Sequence, residues 1–225
     1  MRNLIALLLL LAGCVKTPGN DFIGVKYLNS PLGEGFGLDS DPVIRFDAFD
    51  CTTFVETVLA DGNIKRLNEI RYKNGQVNFI NRNHFIEVDW LKNNSDIIEN
   101  ISRKFGKTEI HSVTIDKKSW FKTVHNVETD FKPETARLEY IPYKNISDLE
   151  LNKTYVVLFV ADNPKIRDKI GTDIAVVHMG FLLPSGTLRH ASSKQGMVVD
   201  VDFQDYISQR QRNKTNIGIA ILEIK

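Results

Sequence analysis

A cysteine and two histidines are the residues of this 225-residue chain whose types and spacing could do chemistry. Cys51 opens the run from Asp50 to Ala60, in which Asp50 suits an N-cap and positions 51, 54, 55, 58 and 59 form one apolar helical stripe. The spacing therefore predicts a thiol on the first turn of a buried helix. Unpaired backbone N–H groups and the positive end of the helix dipole favour a thiolate there and can receive a developing oxyanion. An ionised Asp50 works partly against that dipole. Far along the chain, His178 lies in Val176-Val177-His178-Met179-Gly180-Phe181 and His190 in Leu188-Arg189-His190-Ala191-Ser192. A helix-start cysteine with two strand histidines has the parts of a cysteine-dependent hydrolase.

Each residue alone has a plainer reading. Free cysteine is often inert packing, and a single strand histidine is more often a hydrogen-bonded core residue. The combination gains weight from register. On the first strand Val176, His178 and Gly180 share a face, and Gly180 leaves room for another group. Pro184-Ser185-Gly186 reverses the chain, and Leu188, His190 and Ser192 share a face on the returning strand. The two histidines can meet across this hairpin.

The elements that must hold them read as α+β. After the Cys51 helix, Ile70-Arg71-Tyr72 and Val77-Asn78-Phe79 flank a turn and suggest a hairpin, and Asp96 to Phe105 suggests a short helix. The stretch from Lys107 to Asn152 is ambiguous. From Thr154 onward, Tyr155–Val160, Asp173–Leu182, Thr187–Ala191, Gly196–Val201 and Asn216–Ile224 read as strands, with a helix over Phe203–Arg210. A helix followed by a strand meander implies an antiparallel sheet.

The N-terminus bears on location. Met1-Arg2-Asn3 gives a positive start, Leu4 to Leu11 an apolar core too short to span a bilayer, and Leu11-Ala12-Gly13-Cys14 a small-residue cleavage site that resembles a bacterial lipobox. On that resemblance residues 1–13 are a signal peptide, Cys14 is lipidated, and 14–30 are a lipid-bearing tether before one domain over 31–225, with an insertion at about 64–152. An ordinary secretory signal is the alternative. The implied location is the periplasmic side of a bacterial cell envelope, held to a membrane through the lipid. Cys51 is then a single thiol kept in an oxidising compartment, which suggests use. Loss of Arg2 with the leader leaves basic and acidic residues equal at 28 each, so no basic field attracts nucleic acid.

Several motifs together carry a resemblance. Asp50-Cys51-x-x-Phe54-Val55, His178-x-Gly180-x-Leu182 and a polar residue twelve positions after that histidine resemble the NlpC-type cell-wall cysteine peptidases and amidases of the papain-like superfamily. Cys51-Thr52-Thr53-Phe54-Val55-Glu56, Ile70-Arg71-Tyr72-Lys73-Asn74-Gly75, Arg82-Asn83-His84-Phe85 with Asp89-Trp90, and His190-Ala191-Ser192-Ser193 are similar to its N-acetylmuramoyl-L-alanine amidase-like branch. The resemblance runs from about Phe46 to the C-terminus. It implies a papain-like core, Cys51 as nucleophile, His178 as general base and His190 as the residue orienting it. It also implies hydrolysis of the amide between muramic acid, its anhydro form included, and L-alanine, with disaccharide-peptide wall fragments as partners and no cofactor.

Arg71, Tyr72, Arg82, His84, Asp89 and Trp90 concentrate charged and aromatic groups in the loop-rich insertion and are the candidate substrate-binding residues, the alternative being a solvated hairpin with Trp90 in the core. His111 and His125 read as surface residues. Three other readings stand beside this one. A zinc hydrolase could use His84, His178 and His190 with Asp89, but no His-x-x-x-His or Cys-x-x-Cys spacing is present, so no metal is expected. An NlpC-type endopeptidase cutting between γ-D-glutamyl and diamino acid residues shares the same catalytic parts. A non-catalytic wall-binding lipoprotein is the remaining one.

Overall fold

The computed structural model describes residues 17–147 and 149–225; the leader and Cys14 lie outside them. The chain enters through a 3-10 turn at Asn20–Phe22 and two short strands, β1 (Lys26–Tyr27) and β2 (Ala48–Phe49). Helix α1 (Cys51–Ala60) follows at once. It starts where Asp50 predicts: the Asp50 carboxylate accepts the Thr53 N–H at 2.8 Å, and the Thr53 hydroxyl accepts the Asp50 N–H at 2.9 Å. This reciprocal capping satisfies two end groups of the helix.

Next come α2 (Ile64–Arg71), 3-10 turns at Lys73–Gly75 and Phe79–Asn81, and a wide turn over Ile86–Trp90 closed by the Trp90 N–H to the Phe85 carbonyl at 3.0 Å, which runs into α3 (Leu91–Asn93). Then follow β3 (Ile98–Asn100), β4 (Glu109–Ile115), α4 (Lys117–His125) and β5 (Glu134–Pro142). The meander ends the chain: β6 (Tyr155–Ala161), α5 (Ile166–Ile170), β7 (Val176–Leu182), β8 (Thr187–Ser192), β9 (Met197–Asp202), α6 (Phe203–Arg210) and β10 (Asn216–Ile224).

The strands form one sheet in the order β2-β1-β9-β8-β7-β6-β10-β5-β4, with β3 paired to β10. The fold is α+β. The sheet is mixed rather than wholly antiparallel, because β1 runs parallel to β2. Strand β6 is buried along its whole length and feeds two cores. Val156, Leu158 and Val160 join Phe54, Val55, Met179 and Phe181 beneath α1, while Val157 and Phe159 join Leu188, Phe203 and Ile207 beneath α6. Alternation along a strand buried on both faces puts successive residues into different layers.

Local expectations fail in three places. The hairpin expected around Lys73–Gln76 is instead the end of α2 and two tight turns, because Asn63 caps a helix over Ile64–Arg71 and Asn74 (φ 56°) turns the chain. The helix expected over Asp96–Phe105 is β3 and a 3-10 turn, since Ile98–Asn100 finds a partner in β10. Within the segment expected to be a tether, residues 17–30 lie against the domain. Arg189 donates to the Thr17 hydroxyl (2.9 Å) and the Pro18 carbonyl (3.0 Å), and Phe22 packs on Phe49 and Phe54.

Candidate functional site

Cys51 sits at the first position of α1, half-buried, with the Thr52 hydroxyl 3.9 Å from its sulfur and the backbone N–H of Met179 directed to it. His178 and His190 come together as the register suggests: His178 Nε2 is 2.7 Å from His190 Nδ1. What lets them meet is a gap in side-chain volume. A Cβ on Gly180 would lie 2.8 Å from both the Arg189 carbonyl oxygen and His190 Cβ. Strands β7 and β8 are paired at Phe181–Arg189 and Leu182–Leu188. That pairing stops short of His178. Cys51, Thr52, Val177, His178 and Met179 line a single cavity of about 270 Å³, and Glu87 and Trp120 are also part of its lining. The histidine pair also borders a larger cavity of about 760 Å³ that includes Tyr206 and Arg210.

The electrostatics correct one expectation. Burial, followed by the Asp50 charge, pushes the thiol up to about 11, against smaller opposing pulls from Thr52 and the Met179 N–H. Burial, then His190 and Arg210, holds His178 well below the usual histidine range, and burial with Arg210 lowers His190 to about 4. The resting pair is thus neutral thiol and neutral imidazole, because desolvation penalises both charged forms more than the helix end compensates. Tyr206 of α6 packs on His190 with ring centroids 5.0 Å apart and on Phe159 at the same distance, fixing the imidazoles from the α6 side.

The six residues expected to bind substrate divide. Three are structural. Arg71 is 2% exposed, its Nε 3.2 Å from the buried Glu56 carboxylate and its Nη1 donating to the Val43 carbonyl. Tyr72 is fully buried and donates to the Gly33 carbonyl at 3.1 Å, and Trp90 is fully buried in the α1 core. No surface of these three is left for a ligand. Arg82 is spent on Glu34 (2.8 and 2.7 Å) and Asp39 (2.8 Å), and Asp89 on Lys117 (2.7 Å), but both border a cavity of about 330 Å³ with His84. His84 also borders the Cys51 cavity, so it alone of the six reaches the reacting region. Its Nε2 is 2.7 Å from the Phe79 carbonyl, its ring packs on Trp120 at 4.8 Å, and burial lowers it to about 3. His125, expected at the surface, is half-buried against the same Trp120 at 4.6 Å.

Three neighbours of the site are not singled out by sequence. Tyr206 and Arg210 lie one turn apart on α6, a spacing that places them on one helical face, and that pattern is visible in the chain. Glu87 has no such signal, being one acidic residue in a loop-rich stretch. Among the described residues, no three of His, Cys, Asp or Glu converge to hold a metal ion.

A helix-start thiol and an imidazole lining one cavity, with a second imidazole hydrogen-bonded to the first, can carry out acyl transfer. The family model for AmiA-like, N-acetylmuramoyl-L-alanine amidase-like proteins matches residues 18–217, and the chain belongs to that family. This places it with peptidoglycan amidase-like hydrolases. In structure it is similar to a Legionella pneumophila str. Philadelphia 1 protein, with TM-score 0.83, 26% identity and coverage of 92% of this chain and 86% of that one. An N-acetylmuramoyl-L-alanine amidase from Bacteroides uniformis matches with TM-score 0.71, 21% identity and coverage of 92% and 97%. A Bacteroides fragilis protein provisionally named a xylanase matches with TM-score 0.67, 20% identity and coverage of 92% and 99%. These last two likenesses are of fold. No curated protein matches the chain.

Proposed function

We propose that this protein hydrolyses the amide joining the lactyl carboxyl of muramic acid to L-alanine, on a papain-like NlpC-type core, with Cys51 as nucleophile, His178 as base and His190 as its orienting partner. The observation that carries the reading is the Cys51–His178 cavity backed by the 2.7 Å histidine contact. Because Nε2 of His178 is engaged with His190, Nδ1 is the nitrogen left to serve the thiol. A base there needs the tautomer in which His178 Nε2–H donates to His190 Nδ1, which in turn puts the proton of His190 on its own Nε2.

The cycle then balances. As Sγ attacks the amide carbon, the thiol proton passes to His178, and the Cys51 backbone N–H is placed to receive the oxyanion. The C–N bond breaks with return of that proton to the alanine nitrogen, leaving a thioester on Cys51. Water adds to the thioester as His178 takes one of its protons, the C–S bond breaks as that proton returns to the sulfur and restores the thiol, and muramic acid departs, its carboxyl proton passing to solvent. His84 continues the cavity toward Arg82 and Asp89, which favours a substrate extending along the insertion.

The test is mass spectrometry of products from defined muropeptides, the anhydro form among them. An intact stem peptide beginning with free L-alanine and a peptide-free disaccharide are expected. Peptides cut after the second residue, with alanine still on the sugar, would make the protein an NlpC-type endopeptidase. A glycosidase reading is less favoured, since paired carboxylates are its usual apparatus and, among the described residues, Glu87 is the only carboxylate bordering the Cys51 cavity.

The lipid anchor at Cys14 remains part of the proposal. Thr17 is already held by Arg189, so in the sequence only Val15 and Lys16 stand between it and the lipid-bearing Cys14. A Cys14→Ala protein should leave the membrane fraction; unchanged fractionation would remove the anchor.

A further inference from the structure

Strand β7 is irregular directly before its histidine. Its pairing with β6 runs Phe159–His178 and then Val160–Val176, so Val177 is an extra residue without a partner. Val177 is 39% exposed and faces the same cavity as Cys51. A one-residue bulge bends a strand and re-aims the side chains beside it. Here the bend matters more than usual. Met179 and Phe181 pack beneath α1, which carries the thiol, whereas His178 packs with Phe159 and Tyr206 beneath α6. Thiol and imidazole reach one cavity from different layers, around the end of β7, and the shape of that end sets their meeting.

The bulge is pinned from outside the sheet. Glu87 Oε1 accepts the backbone N–H groups of both Ala175 and Val176, each at 2.6 Å. Ala175 is in turn tied to β6 through its carbonyl, which accepts the Ala161 N–H at 2.7 Å. Glu87 comes from the wide turn Ile86–Trp90, whose i to i−5 closure is rare and recurs at functional sites. The neighbouring acid, Asp89, is occupied by Lys117. Its carboxylate also borders the cavity lined by Cys51, Thr52 and His178.

We infer that Glu87 is the positioning residue of the Cys51–His178 pair: by holding the Ala175 and Val176 N–H groups it fixes the bulge that directs His178 at the thiol. This rests on the Cys51–His178 chemistry proposed above and extends it to a residue in the insertion. Burial raises the Glu87 carboxyl while the two N–H bonds oppose the rise, and what the role needs is an acceptor oxygen rather than a charge.

The experiment uses the full chain and two readouts, muropeptide turnover and the pH dependence of Cys51 alkylation by iodoacetamide, with His178→Ala as reference. Glu87→Ala should lower kcat about 100-fold with little change in KM, as expected for a misplaced reacting group. Its alkylation profile should move to that of His178→Ala. Glu87→Gln keeps one acceptor oxygen and should recover most of both readouts. If Glu87→Ala does not fold, Glu87→Asp, which withdraws the oxygen by one methylene, carries the same expectation. A folded Glu87→Ala or Glu87→Asp with the wild-type kcat and alkylation profile overturns the inference, and so does a Gln variant no better than Ala. If His178→Ala itself leaves alkylation unchanged, it is the Cys51–His178 reading that fails, whatever Glu87 does.

Discussion

At the scale of single residues, the site is a neutral thiol beside a neutral imidazole, and this makes its pH behaviour specific. In the proposed mechanism His178 can serve as base only when unprotonated, and burial with nearby His190 and Arg210 keeps it so well below the ordinary histidine range. The acid limb of kcat/KM should therefore lie below the ordinary histidine range; a pH–rate profile with its limb at or above 6.5 would mean that another group is titrating. Because the proton leaves and returns through one pair, Cys51→Ala, His178→Ala and the double variant should be equally inactive while remaining folded. Full turnover in Cys51→Ala would end the cysteine mechanism. In the tautomer that the proposed base needs, His190 Nδ1 accepts from His178 Nε2–H, so His190→Ala should keep residual activity, and His190→Asn or His190→Gln, which supply a carbonyl oxygen, should recover part of the loss. Steady-state rates of the three variants decide this, and a wild-type rate in His190→Ala would remove its orienting role.

The elements explain which parts of the molecule were legible in its sequence. Helix α1, α6 and strands β6 to β10 announce themselves through an aspartate cap, the Pro184-Ser185-Gly186 reversal and apolar runs bounded by turns, whereas the histidine contact needs more than register, since His190 stands against Gly180 and the missing glycine side chain lets His178 reach it. Strand β3 does not, because its outcome depends on β10, a distant partner that local pattern does not encode; the end of α2 has a local signal in the Asn63 cap, but the turn residues that follow it read equally as a hairpin. Partners far along the chain also decide Arg71 and Tyr72, while Trp90 takes the core place that is its alternative reading. Residue type marks them as ligand-binding, but Glu56 and the Gly33 carbonyl bury and satisfy the first two. Breaking a buried pair leaves an uncompensated charge, so Arg71→Ala should cost about 3–5 kcal/mol in urea unfolding. The fraction still folded should keep its KM; a raised KM with intact stability would return Arg71 to the binding surface. Gly180 belongs to this scale too. Gly180→Ala must push β8 away, costing about 1–3 kcal/mol and disturbing His190, which urea midpoints and turnover together would register.

Across the whole molecule, the insertion and the sheet are joined by the half-buried His84 as well as by Glu87, and this links stability to pH. His84 stands where the insertion, α4 and the Cys51 cavity meet, packed on Phe79, Trp120 and Phe121. Folding lowers it to about 3, with burial the main cause and the nearby Arg82 charge adding to it. The unfolded chain, with an ordinary histidine near 6.5, takes up a proton as pH falls below that value, whereas the native state does not until about 3. Stability therefore rises with pH across this window and is lost as pH falls through it. His190 and His178, also lowered, act in the same direction. Glu56, raised to about 7 by burial against the pull of Arg71, acts oppositely above the unfolded carboxylate range, and Glu87 is raised too. A single wild-type curve thus mixes both signs, and the informative measurement is a difference. His84→Gln keeps a side-chain partner for the Phe79 carbonyl but cannot titrate, so its unfolding free energy, measured in urea from pH 7 to pH 4, should decline less steeply than that of the wild type. Parallel curves would mean that His84 carries its proton in the folded state, and that the aromatic nest around it admits water.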